Sequence, residues 1–118
     1  MRKNMEIFER IEELVFDAQG LLPVIVQEVH TRQVLMLAYM NRQALEMTLQ
    51  SGEMVFWSRS RQQLWRKGET SGNRQRLLAL RVDCDADCLL ALVEATGPAC
   101  HTGNTSCFYR LLEGKELE

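Results

Sequence analysis

Metal-ligand chemistry is concentrated in one short window near the end of the chain. Asp83, Cys84, Asp85 and Asp87 come first, with Cys88 beside them, followed by Cys100-His101-Thr102-Gly103 and Cys107. Thiolates suit a borderline-soft ion such as zinc, and clustered carboxylates suit a hard ion such as magnesium. Both ligand sets lie within one hairpin's length of each other.

Strand periodicity separates the two sets. Alternation puts Leu78, Leu80, Val82 and Cys84 on one face and Asp83 and Asp85 on the other, where Asp87 joins them if the chain stays extended. Carboxylates that close repel one another, and a divalent cation relieves the repulsion. An exposed acidic turn is the plainer reading. For the thiols two arrangements stay open. Cys84, Cys88, Cys100 and Cys107 together would make a closed structural zinc site. Cys84, Cys100 and Cys107 alone would leave one position for water, as in a catalytic zinc site. Cys88 begins an apolar stretch and fits equally well as a small core residue. His101, next to Cys100, has a side chain whose ordinary pKa suits proton relay, or it is simply exposed. His30 falls in a turn and is expected at the surface.

Arg59, Arg61, Arg66, Lys67, Arg74, Arg76 and Arg81 are half of the 14 basic residues, with Glu69 the single acid among them. The net charge is −2, so this cluster suits a small anionic ligand better than a long nucleic acid, although a solvated strand face has the same pattern. Ser71-Gly72-Asn73, between Lys67 and Arg74, is either a phosphate cradle or an ordinary turn. Trp57 and Trp65 are expected in the core rather than stacked on a base.

Several elements must position these groups. Phe8, Ile11, Val15 and Ala18 have helical spacing, which predicts a helix over Met5 to Ala18 that stops at Gly20. Val24 to Val26 and Val34 to Tyr39 read as strands joined through His30-Thr31-Arg32. Asn41 is a good cap for a helix through Leu49, stopped by Gly52. Met54 to Ser58, Leu64 to Arg66 and Leu78 to Val82 read as further strands. Leu89 to Ala95 suits a return strand better than a helix. Two helices and several antiparallel strands give an α+β, antiparallel β-rich fold. A chain of 118 residues, 46% hydrophobic and 25% charged, suits one domain. No apolar run approaches the roughly 20 residues that span a bilayer, and the N-terminus has no signal-peptide character. We therefore expect a cytoplasmic protein with reduced cysteines and no membrane or nucleic-acid partner.

With these motifs in view, the sequence from about Gly20 to Phe108 resembles the phosphoribosyl-AMP cyclohydrolase family. The resemblance is carried by Trp57-Ser58-Arg59-Ser60-Arg61, Leu64-Trp65-Arg66-Lys67-Gly68-Glu69-Thr70-Ser71-Gly72-Asn73, Asp83-Cys84-Asp85-Ala86-Asp87, Gly97-Pro98-Ala99-Cys100-His101-Thr102-Gly103 and Ser106-Cys107-Phe108. It implies an intertwined homodimer with metal sites at its interface. Zinc would be held by Cys84 of one chain with Cys100 and Cys107 of the other, and magnesium by Asp83, Asp85 and Asp87. It also implies hydrolytic opening of the adenine ring of phosphoribosyl-AMP in histidine biosynthesis, a reaction for which His101 is our candidate proton donor or shuttle. Arg59, Arg61, Lys67, Ser71, Gly72 and Arg74 would then meet the two phosphates of that substrate. Cys88 lies outside the family pattern. The length suggests a single stand-alone domain over residues 1–118, without the pyrophosphohydrolase domain fused to it in many bacteria. A zinc-stabilised binding module closed by Cys88 is the main alternative. A zinc deaminase fits poorly, because neither histidine is followed by x-Glu and no Cys-x-x-Cys occurs.

Overall fold

The computed structural model describes residues 11–115. Six strands and one α-helix follow a short 3-10 turn at Ile11–Glu13. The strands are β1 (Leu22–Glu28), β2 (Val34–Met40), β3 (Val55–Ser58), β4 (Gln63–Arg66), β5 (Gln75–Val82) and β6 (Leu89–Ala95), and helix α1 (Arg42–Ser51) lies between β2 and β3. Four strands form a sheet in the order β2-β1-β6-β5, and β3 and β4 pair in a separate hairpin. Most pairings are antiparallel, as expected, but β1 and β6 run parallel and make the large sheet mixed.

One face of the sheet holds the core. Leu22, Val24 and Val26 of β1 align with Met40, Ala38 and Met36 of β2, while Leu89, Ala91 and Val93 of β6 continue the layer. Helix α1 packs against β3 and β2 and buries Ala44, Leu45 and Thr48. Its ends follow the sequence signals. Asn41 Oδ1 accepts from Ala44 N at 2.8 Å, and Gly52 closes the helix in the left-handed region at φ 76°. Thr48 ties helix to hairpin: its hydroxyl donates to the Ala44 carbonyl and accepts from Val55 N. Phe56 is fully buried, with its ring 5.4 Å from that of Trp65.

Three expectations change. The helix expected over Met5 to Ala18 is not α-helical where it can be described, and residues 1–10 lie outside the described residues. Asp17 Oδ1 accepts from both Gln19 N and Leu21 N at 2.9 Å, and Val15 N donates to the Ala86 carbonyl at 2.7 Å. These bonds take groups that a helix would have used. Second, Leu78 does not share a face with Leu80 and Val82. A bulge between Leu77 and Ala79 leaves Leu78 exposed, so Leu77, Leu80 and Val82 pack on the core instead. Third, both tryptophans are half-buried: Trp65 packs against the core, whereas Trp57 lines a surface cavity. No helix among the described residues is long and apolar enough to cross a membrane.

Candidate metal centre

The hairpin between β5 and β6 gathers the carboxylates. It does so by turning rather than by extended alternation. Ala86 adopts φ 63°, Ala86 N donates to the Asp83 carbonyl, and Asp83 Oδ1 accepts from Asp87 N at 3.0 Å and Cys88 N at 3.1 Å. Oxygen atoms of Asp83, Asp85 and Asp87 consequently lie within 4.8 Å of one another at the surface. Among the described residues this is the only group of three or more acidic, thiol or imidazole side chains so placed.

Crowding divides the protons unevenly. Asp87 is pushed up to about 6, first by a hydrogen bond with Asp85, then by loss of solvent and by Asp83. Desolvation also works on Asp83, but the Asp87 backbone N–H, its two carboxyl neighbours and the Cys88 N–H outweigh it and hold Asp83 below the usual range. An all-oxygen set in which shared hydrogen bonds, desolvation and repulsion raise one carboxyl suits a hard divalent cation.

Two of the thiols meet at another corner. Cys100 is buried, and Ala99 N donates to the Thr105 carbonyl while Cys100 N donates to the Asn104 carbonyl. This closes a tight loop ahead of Cys107. Cys107 N donates to the Leu35 carbonyl at 2.7 Å and Ser106 Oγ to the Val34 carbonyl, which fixes the return leg on β2. Thr102 Oγ1 donates to Cys100 Sγ at 3.0 Å and itself accepts from Asn104 Nδ2 at 2.9 Å. The Thr102 hydroxyl and backbone N–H, with Cys107 and the Lys67 ammonium, pull the Cys100 thiol below its ordinary pKa against desolvation. Burial, then the hydrogen bond with Cys100 and its charge, push Cys107 up. Thr102 carries no metal-ligand chemistry of its own, so sequence spacing did not single it out.

Cys84 is exposed and does not join Cys100 and Cys107 in any three-ligand group within the chain. Cys88 is half-buried, with a long contact from its thiol to the Leu89 carbonyl, and no closed four-thiol site forms among the described residues. The donors present suit zinc chemically: two adjacent thiols, one with a lowered pKa, beside a cation.

The expected substrate contacts are dispersed. His101 is exposed next to Cys100. Lys67 is buried; its ammonium donates to the Ala99 carbonyl at 2.6 Å and lies 5.5 Å from the Trp65 ring centre. Arg74 pairs with Glu53 at 3.0 Å. Ser71 Oγ accepts from Asn73 N, and Gly72 N donates to the Gly68 carbonyl, so this loop closes on itself. Gly68 and Gly97 clasp Asn73. A Cβ on Gly68 would sit 2.5 Å from the Asn73 carbonyl carbon, and one on Gly97 would sit 2.4 Å from Asn73 Oδ1. Arg61 is exposed, its backbone N–H bonded to Ser58 Oγ. Arg59 lies over the Tyr39 ring at 3.9 Å and faces a cavity of about 350 Å³ lined also by Asp17, Gln19, Leu21, Asn41, Trp57 and Gln62. His30, expected at the surface, is exposed, and its Nε2 meets Glu94 at 3.0 Å.

A sequence model of the phosphoribosyl-AMP cyclohydrolase family matches residues 36–109. A phosphoribosyl-AMP cyclohydrolase of Archaeoglobus fulgidus is 62% identical over 105 residues, which cover 89% of this chain and 97% of that protein. One from Alkalilimnicola ehrlichii is 59% identical, over 89% of this chain and 74% of its own length. The histidine biosynthesis bifunctional protein HisIE of Caldanaerobacter subterraneus subsp. tengcongensis is 62% identical over 85% of this chain and 49% of its own.

Proposed function

The chain belongs to the phosphoribosyl-AMP cyclohydrolase family, and from that premise we propose that it hydrolyses the N1–C6 bond of the adenine ring of phosphoribosyl-AMP, a step of histidine biosynthesis, using zinc at Cys84, Cys100 and Cys107 and magnesium at Asp83, Asp85 and Asp87. The observation that carries the zinc assignment is the separation of the thiols. Cys100 and Cys107 stand together while Cys84 of the same chain does not join them, which supports a third ligand supplied by a second copy. The outer face of the sheet supports such a pairing. Leu37, Ile25 and Leu90 align in register across β2, β1 and β6, and Leu37 remains exposed. A row of apolar side chains of this kind suits burial against a homodimer partner.

Zinc held by these thiolates would lower the pKa of a water toward neutrality. The chain's own residues do the rest. Oxygen adds to C6, the C6–N1 bond breaks, and N1 leaves with a proton, giving a carboxamide and a formamidine. His101, one residue from Cys100, is positioned in sequence to deliver that proton. The Thr102 hydroxyl steadies Cys100 as thiolate. The carboxylates of Asp83, Asp85 and Asp87 would hold magnesium for a substrate phosphate.

The test is an absorbance assay of ring opening with purified protein, alongside metal analysis. Cys100→Ala is expected to lose zinc and turnover together. Full turnover in a zinc-free Cys100→Ala variant would refute the assignment. His101→Ala is expected to keep zinc and lose rate.

A further inference from the structure

We propose that the cavity between Arg59 and Asp17 is a binding site for a 5′-phosphorylated ribonucleoside, with Arg59 gripping the phosphate and Trp57 facing the base. As a subsite for one arm of phosphoribosyl-AMP, it rests on the function proposed above. The cavity measures about 350 Å³, within the range of roughly 300–1,000 Å³ usual for small-ligand pockets.

Its lining has the three kinds of group that a nucleotide needs. Arg59 supplies the anion-binding fork. Among the described residues it has no carboxylate partner, whereas Arg66 and Arg74 both meet Glu53 and Arg76 meets Glu94. The Tyr39 ring beneath its guanidinium, 3.9 Å away, holds it in place without using its hydrogen-bond donors. Trp57, half-buried on the cavity wall, offers an aromatic surface to a base. Asp17 and Asn41 are polar groups already fixed by the backbone. Asp17 Oδ1 accepts two backbone N–H groups, which leaves its other oxygen for a ribose hydroxyl. Asn41 Oδ1 caps α1, which leaves its amide N–H groups as donors.

The segment that carries Asp17 is bonded to the carboxylate hairpin. Val15 N donates to the carbonyl of Ala86, between Asp85 and Asp87. Asp17 follows two residues later, at most about 7 Å along the chain.

The test uses the metal-loaded protein, with Arg59→Ala and Arg59→Lys checked for unchanged zinc content and thermal midpoint. Arg59→Ala is expected to raise KM for phosphoribosyl-AMP at least tenfold while kcat changes less than threefold. It should weaken 5′-AMP, measured by calorimetry, by a similar factor and leave adenosine binding unchanged. Arg59→Lys should fall between wild type and alanine. A KM within twofold of wild type in Arg59→Ala, or equal 5′-AMP binding by both proteins, would overturn the proposal while leaving the ring-opening activity intact. If wild type opens no ring yet binds 5′-AMP in an Arg59-dependent way, the site stands as a mononucleotide site and the reaction assignment falls.

Discussion

Lys67 and Ala99 are 32 residues apart in sequence, yet the Lys67 ammonium donates to the Ala99 carbonyl at 2.6 Å. The bond fixes the residue that precedes Cys100. It also keeps a buried positive charge beside two thiols, where burial pulls the lysine below its usual pKa and Cys107 and Cys100 push it back. Lys67→Met would leave the Ala99 carbonyl unpaired, a loss of about 1–3 kcal/mol, and would remove the charge that favours thiolates. We expect lower zinc affinity by chelator competition, slower alkylation of Cys100 in the zinc-free protein, and a reduced thermal midpoint. Unchanged zinc affinity and alkylation would contradict this role.

The carboxylate cluster gives a pH prediction with a definite sign. Asp87 is held at about 6 by Asp85, desolvation and Asp83, so without a cation the folded state keeps this proton above its unfolded-state range. Crowding in the metal-free fold is therefore relieved as pH falls through about 6 and is fully felt above it. Magnesium bound at these carboxylates, as proposed, would displace the proton. Its affinity should be nearly level above about pH 7 and weaken below pH 6, approaching tenfold per unit if one proton is exchanged. Calorimetric titration at pH 7.5 and pH 5 checks this, and equal affinities would contradict it.

Gly68 and Gly72 offer a matched pair. Both adopt φ 81°, but a Cβ at Gly68 would strike the backbone of Asn73 and Arg74, while one at Gly72 meets nothing within 4 Å. Gly72→Ala should cost only the left-handed backbone penalty, about 1 kcal/mol. Gly68→Ala should cost clearly more and loosen the loop that presents Lys67. Thermal unfolding of both variants decides the matter, and equal midpoints would show that the clasp on Asn73 contributes nothing.

The cap at Asn41 and the stop at Gly52 were legible because a local side chain and a local backbone angle set both ends of that helix. The strand Leu89–Ala95 was legible from its length and from the turn before it. Most of what escaped the sequence depends on distant partners. Residues 14–18 carry an apolar helical pattern, but Val15 bonds to Ala86 and Asp17 bonds to its own turn. The bulge at Leu78 shifts the alternation by one residue, with nothing local to announce it. The Asp residues were recognised correctly as a group, although the turn at Ala86 rather than an extended strand brings them together. Arg59, Trp57 and Asp17 meet only after folding, which is why spacing alone placed Arg59 in a basic cluster and not in a cavity.

The zinc assignment depends on ligands from two chains, and complementation tests that directly. Cys84→Ala and Cys100→Ala chains, each expected to be inactive alone, are co-expressed with different tags and the mixed dimers purified. In a mixed dimer one shared site loses two ligands and the other keeps all three. An equal mixture should regain about a quarter of wild-type sites, because about half of the dimers are mixed and each has one intact site of two. Pure mixed dimers should regain about half, with matching zinc content. Mixed dimers that form yet bind no zinc and open no ring would contradict the shared site.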